Sequence, residues 1–293
     1  MLPILYRRAQ AAYCYAVRQG TSGMEFAEFG RQIGYQLLKR GALVGISYLL
    51  TPVNIVRYFE FPFVFENLPE NLGKCLDVSS PRLFSLYAAN KYPKNLILMN
   101  NPDSKDISQT SSMVSKLKIK NIQTECRGIE TLSEQKGMYD CIWSISVVEH
   151  IKGNFDDITA MKLMYEALNE NGGKLILTVP VDREFREEYR ESNHYGTQSR
   201  QVNGKYFFQR VYDKASIWER LLSPINQSPT VVRWFGETSQ GKFTQHEQYW
   251  LREGHYCTIN DPREIADNYQ EFPDWKNMPG IGVCGIVIKR KKS

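Results

Sequence analysis

A chain of 293 residues with 42% hydrophobic and 12% aromatic content has enough apolar surface for a large core, arranged as one large domain or two modest ones. Its net charge of +5 is modest and, apart from the terminal run Lys289-Arg290-Lys291-Lys292, spread along the chain. With no interleaving of basic and aromatic residues, it argues against a nucleic-acid partner. The six cysteines form no CxxC pair and several fall in predicted strands, so they read as reduced thiols of a cytoplasmic protein rather than disulfides or a zinc site. The four histidines are too scattered for a metal cluster, and His246, Glu247 and His255 read as surface or packing residues.

Residues 1–65 form a helical extension. From Met24 to Lys39, the residues Phe26, Phe29, Ile33 and Leu37 share one helical face opposite Glu25, Glu28, Arg31, Gln32 and Lys39. Gly41 to Val56 is uncharged but contains Gly45 and Pro52, and it falls short of the ~20 residues that span a bilayer. It has no cleavage-site pattern. It reads as a cap buried on the rest of the chain, or alternatively as a peripheral docking element for a membrane or a protein. Tyr58 or Glu60, charged or polar between apolar runs, is placed to reach a ligand cleft.

The remainder, 66–293, carries an alternation of strands and helices. Cys75-Leu76-Asp77-Val78 is a short apolar strand closing on a carboxylate, and Ser79-Ser80-Pro81 opens a helix, with Ser80 as its cap. Leu96 to Met99 suits a strand buried on both faces and stops at Asn100-Asn101-Pro102, and a helix follows over Ser104 to Leu117. Ile122 to Cys126 is a weaker strand, and Tyr139 to Ile145 a strong one. A helix starting near Asn154 carries Ile158, Met161, Met164, Tyr165 and Leu168 at helical spacing, until Asn171-Gly172-Gly173 ends it before the strand Lys174 to Val181. Such an order defines an α/β fold on a parallel sheet with its ligand at the strand ends.

Leu76-Asp77-Val78, Tyr139-Asp140-Cys141-Ile142, Val148-Glu149-His150, and Glu166-Ala167-Leu168 through Gly172-Gly173-Lys174 to Val179-Pro180 resemble successive motifs of the Rossmann-like, class I S-adenosylmethionine-dependent methyltransferases. The resemblance covers about three quarters of the chain, from about Phe65 to Arg290. It implies a seven-stranded, mostly parallel sheet. The sixth strand would be Val231 to Phe235, with a turn over Gly236 to Gln240, and Gly282 to Ile288 the antiparallel C-terminal strand.

The resemblance further implies S-adenosylmethionine as cofactor, held by Asp77, Ser79, Ser80, Arg82, Asn100, Asn101 and Ser146. In this reading Asp77 takes the cofactor ammonium and Arg82 its carboxylate. The chain departs from the family in three places. Its first loop has no glycine, its second strand ends in Asn100 and Asn101 instead of an acid, and Glu125 or Glu130 must stand in for the acid near the adenine. Ser146, where some relatives place an acid for a metal, argues against a metal site. His150 is a candidate general base with Glu149 orienting it, and both residues equally suit a role in holding the loop and capping the next helix.

Asp182 to Tyr212 reads as a lid over a polar small molecule, with a helix from Arg183 to Glu191 supported by Glu and Arg pairs, and with Tyr195, Tyr206 and Arg210 as substrate contacts. Asp213 caps a helix carrying Ile217, Trp218, Leu221 and Leu222. The expected activity is methyl transfer to an oxygen or nitrogen of a small molecule or glycan precursor. The alternative is a methyltransferase fold that has lost its glycines and acids and serves as a binding or scaffolding protein.

Overall fold

The computed structural model of the protein describes residues 2–193, 201–253 and 261–291. Four N-terminal helices come first: α1 (Leu2–Arg18), α2 (Met24–Lys39), the short α3 (Gly45–Leu50) and α4 (Arg57–Glu66). The strand and helix alternation then runs β1 (Cys75–Val78), α5 (Arg82–Lys91), β2 (Ile97–Asn100), α6 (Ser104–Leu117), β3 (Ile122–Glu125), β4 (Cys141–Ile145), α7 (Asp157–Ala167) and β5 (Lys174–Val181). A second, antiparallel sheet follows, made of β6 (Arg186–Arg190), β7 (Gln201–Val202) and β8 (Lys205–Val211). After it come α8 (Lys214–Ser216) with a π-helical turn over Ile217–Leu222, β9 (Val231–Glu237), α9 (Lys242–Glu253), α10 (Pro262–Asn268), β10 (Tyr269–Phe272) and β11 (Gly282–Lys289).

The large sheet has the order β10-β9-β11-β5-β4-β1-β2-β3, with β11 antiparallel to both of its neighbours. The seven strands expected from sequence are all present. An eighth, β10, extends the edge by pairing antiparallel with β9, which itself runs on to Glu237 through the turn expected at Gly236. Side chains along each central strand alternate between two cores, as the pleat requires. Cys75, Ile97, Met99, Trp143, Ile145 and Ile176 join α2, α4 and α5 on one face. Leu76, Leu98, Ile142, Leu175 and Leu177 join α7 and Tyr212 on the other. Burial on both faces is why these strands read as continuous apolar runs.

The N-terminal helices lie directly on the first face. Phe26 of α2 is central to an aromatic group, its ring 5.3 Å from Phe61 and 4.2 Å from Tyr87, and Phe84 reaches Trp143 in turn at 5.6 Å. Each such buried ring is worth about 1.5–3 kcal/mol of apolar burial. Gly285 of β11 admits α4, because a Cβ there would lie 2.5 Å from the Phe63 ring.

Three local expectations change. Ser80 does not cap α5: its hydroxyl accepts the Ile145 N–H at 3.0 Å, stitching β1 to β4, and Pro81 precedes the helix without a side-chain cap. Helix α7 starts at Asp157, with Asp156 rather than Asn154 as its cap, accepting the Thr159 N–H at 2.9 Å. Arg183 to Glu191 is not a helix. Its center is β6, where Arg186 and Glu188 share a strand face at 3.1 Å and Tyr189 packs edge-on to Phe207, so pairing with β8 overrides the local charge pattern.

Candidate cofactor and substrate site

The parallel strands end together at Val78, Asn100, Glu125 and Ile145, and the loops leaving them form the candidate site. Ser79 adopts a left-handed backbone (φ 54°), the conformation glycine adopts most easily, and its N–H and hydroxyl both donate to the Asn100 carbonyl at 3.0 and 3.1 Å. A serine thus makes the turn for which a glycine was expected. Asn100 is 5% exposed, and its side-chain Oδ1 has no hydrogen-bond partner among the described residues. An orphaned acceptor at the end of the second strand is a costly feature unless a ligand donor completes it. Glu125 stands in Cα register beside Asn100 and is engaged by Gln123 at 3.1 Å and Arg127 at 3.4 Å.

Asp77 is fully buried. One carboxylate oxygen accepts the Ser80 N–H at 2.8 Å and the other the Ser85 hydroxyl, so it shapes the first loop from beneath. Burial raises its pKa against the opposing pull of these hydrogen bonds. Arg82 and Asn101 converge on Asp106 of α6: Arg82 forms an ion pair with it and Asn101 donates to it at 3.2 Å. Both side chains are committed to joining two loops, which moves Arg82 away from the carboxylate-binding part expected of it.

The far side of the site is built around a residue from α4. Glu60, fully buried, pairs with Arg57 and accepts the Ser146 hydroxyl and, at 2.7 Å, the Thr178 hydroxyl. Ser146, also left-handed (φ 49°), is fixed further by its N–H, 3.1 Å from the Thr178 carbonyl. Thr178 and Arg57 were not singled out from sequence, although Thr178 interrupts the otherwise apolar run Leu175 to Val181 and so advertises a partner.

Glu149 is 1% exposed, and its Oε2 has no hydrogen-bond partner among the described residues. Burial, reinforced by the nearby charge of Glu60 and opposed by Arg57, pushes its pKa up to about 8. His150 Nδ1 lies 2.7 Å from the Phe208 carbonyl, and Nε2 lies 3.7 Å from Glu149 Oε1. A carbonyl only accepts, so Nδ1 carries a proton and the neutral ring has its lone pair on Nε2.

The small sheet supports this loop. Arg210, expected as a substrate contact, is 2% exposed and donates to the Ile151 carbonyl at 2.8 Å, with Asp157 at 3.4 Å and Glu187 at 3.5 Å. Asp157 also receives Arg220 in a two-pronged pair and the Tyr212 hydroxyl at 2.8 Å. Arg210 is therefore occupied in joining β8 to the loop after β4. Tyr206 is half-buried toward the β7–β8 end of the small sheet, and Tyr195 lies outside the described residues. His246 packs against Tyr269, its Nδ1 3.0 Å from the hydroxyl, with Glu264 2.9 Å from Nε2.

The strand order, the antiparallel C-terminal strand and the loops at the strand ends define a Rossmann-like α/β fold. Among solved structures, the chain is similar to MccD protein, with 11% identity over 80% of this chain and 97% of that one and a TM-score of 0.51. It is also similar to coclaurine N-methyltransferase solved with N-methylheliamine and SAH, at 13% identity, 78% and 69% coverage and a TM-score of 0.49. A geranyl diphosphate methyltransferase solved with GPP and sinefungin gives 14%, 78%, 76% and 0.49. At these identities the likeness is one of fold. No protein-family model matches the sequence, and no curated protein matches it.

Proposed function

We propose that the protein transfers a methyl group from S-adenosylmethionine to a nucleophilic oxygen or nitrogen of a small molecule. The observation that carries this reading is the buried Asn100 Oδ1, unpartnered among the described residues, beside the left-handed Ser79 turn, at the strand end where this fold type receives a nucleoside. Asn100 supplies an acceptor suited to a ribose hydroxyl, and the uncapped start of α5 offers backbone donors to the amino-acid part. When bound, the cofactor supplies an electrophilic methyl group.

The chain's own residues align the acceptor and handle its proton. His150, with Nδ1 tied to Phe208, presents Nε2 as the base that removes the acceptor's proton. Glu149, whose carboxyl is pushed by burial toward its protonated form, lies 3.7 Å from Nε2 and holds the ring in place without leaving a bare buried carboxylate at rest. Glu60, Ser146 and Thr178 fix the opposite wall.

Calorimetric titration with S-adenosylmethionine and S-adenosylhomocysteine tests the reading. Micromolar binding lost in Asn100→Leu supports it. Failure of both ligands to bind at millimolar concentration removes it and leaves the fold as a binding scaffold.

A further inference from the structure

The sequence keeps acidic residues out of three stretches. No Asp or Glu occurs between Glu28 and Glu60, between Asp77 and Asp103, or between Asp106 and Glu125. The fold then brings the three together. The C-terminal half of α2 packs against α6, where the Lys116 ammonium donates to the Arg40 carbonyl at 3.3 Å. The Asn121 amide donates to the carbonyls of Ala89, Tyr92 and Asn95 at 3.0–3.1 Å, which ties the loop carrying Lys118 and Lys120 to the segment carrying Lys91 and Lys94. Among the described residues, none of Lys39, Arg40, Lys91, Lys94, Lys116, Lys118 and Lys120 makes an ion pair, whereas the arginines elsewhere in the large sheet and its loops commonly do.

Apolar side chains project from the same surface. Leu43 is 79% exposed and Val44 40% exposed, at the turn joining α2 to α3. Neighbouring Tyr35 is 55% exposed with the Lys39 ammonium 4.5 Å from its ring center. An exposed leucine and valine within a cationic rim combine the two terms of interfacial binding: the apolar pair enters the acyl boundary while the lysines meet lipid headgroups. A nucleic acid would use the charges but gain nothing from Leu43 and Val44. We propose that the α2–α3 turn, with Lys39, Arg40, Lys116 and Lys118, docks the protein peripherally on a membrane surface rich in anionic lipid. Among the described residues no helix is long and apolar enough to cross a membrane, so the attachment is reversible and depends on salt.

Co-sedimentation with phosphatidylcholine vesicles, alone or with about 30 mol% phosphatidylserine, reads the partition directly. The full chain is expected to sediment with the anionic vesicles and not with the neutral ones, and to be released by high salt. Lys116→Glu with Lys118→Glu, and separately Leu43→Ser with Val44→Ser, should each weaken partition about tenfold. Thermal unfolding and S-adenosylmethionine titration of the same variants should be unchanged, which separates a docking failure from a failure of the methyltransferase reading. Absence of binding to anionic vesicles overturns the proposal. So does binding that both double variants retain, or tight binding of duplex RNA that ignores Leu43→Ser and Val44→Ser while vesicles are not bound.

Discussion

Glu60 on helix α4 accepts the hydroxyl of Ser146, which lies 86 residues further along the chain at the end of β4. One wall of the candidate site is therefore supplied by the N-terminal helices, and their packing against Trp143 and Gly285 is a condition of its geometry. Because Glu60 also balances Arg57, the Glu60→Ala change should cost about 3–5 kcal/mol in urea unfolding, the range for breaking a buried pair. Glu60→Gln, which can still accept from Ser146 and Thr178, should cost less. Equal losses for the two variants would show that charge, not shape, is what Glu60 contributes.

Asn100→Ala should leave stability within about 1 kcal/mol, since Oδ1 has no partner among the described residues to lose, while weakening cofactor binding about tenfold. Paired melting and calorimetry would decide it. A large loss of stability with unaltered binding would make Asn100 a structural strand end.

Glu149 gives stability a defined dependence on pH. In the fold its carboxyl keeps its proton up to about pH 8, whereas its ordinary value is 4.5. Between these limits the folded state binds more protons than the unfolded state, so the contribution is most favourable below 4.5 and declines as pH rises toward 8, by a few kcal/mol at most. Glu149→Gln should flatten this part of the curve of chemical-denaturation stability against pH. An unchanged slope in that variant would locate the effect elsewhere.

Asp157 accepts from Arg220 and Tyr212 and lies 3.4 Å from Arg210, all beneath the loop carrying His150. Asp157→Ala should cost about 3–5 kcal/mol, and Tyr212→Phe about 1 kcal/mol. Arg210→Met should also destabilise measurably in the absence of any ligand. If Arg210→Met melts as the wild type does, its role lies in ligand contact after all.

Gly285→Ala should destabilise by about 1–3 kcal/mol through overpacking, because the added Cβ meets the buried Phe63 ring. A neutral result would mean that α4 can shift on the sheet, and the position of Glu60 with it.

The periodic parts of the fold were legible because burial is written into composition. Ile97 to Met99 is apolar throughout and Leu175 to Val181 apolar but for Thr178 because both faces of the strands are covered, and α6 begins and ends at Ser104 and Leu117, the limits its pattern gave. Asp182 to Tyr212 was misread at Arg183 to Glu191, because alternating Glu and Arg satisfies a helix at i+4 and a strand at i+2 equally. Only the partner strand β8, from Lys205 to Val211, breaks the tie.

At the candidate site, sequence alone determined where the expected residues fall: Asp77, Asn100, Ser146 and the Glu149-His150 pair all lie at or just beyond the C-terminal ends of the parallel strands, since topology there follows from element order. Tertiary structure decided what each side chain does. Arg82 is drawn to Asp106, Arg210 to Ile151 and Asp157, and the Ser80 hydroxyl to Ile145, while Asn100 Oδ1 is left without a partner among the described residues. The physical reason is that hydrophobic periodicity is a local property of the chain, whereas a hydrogen bond or ion pair depends on a partner that the fold brings from elsewhere in the sequence.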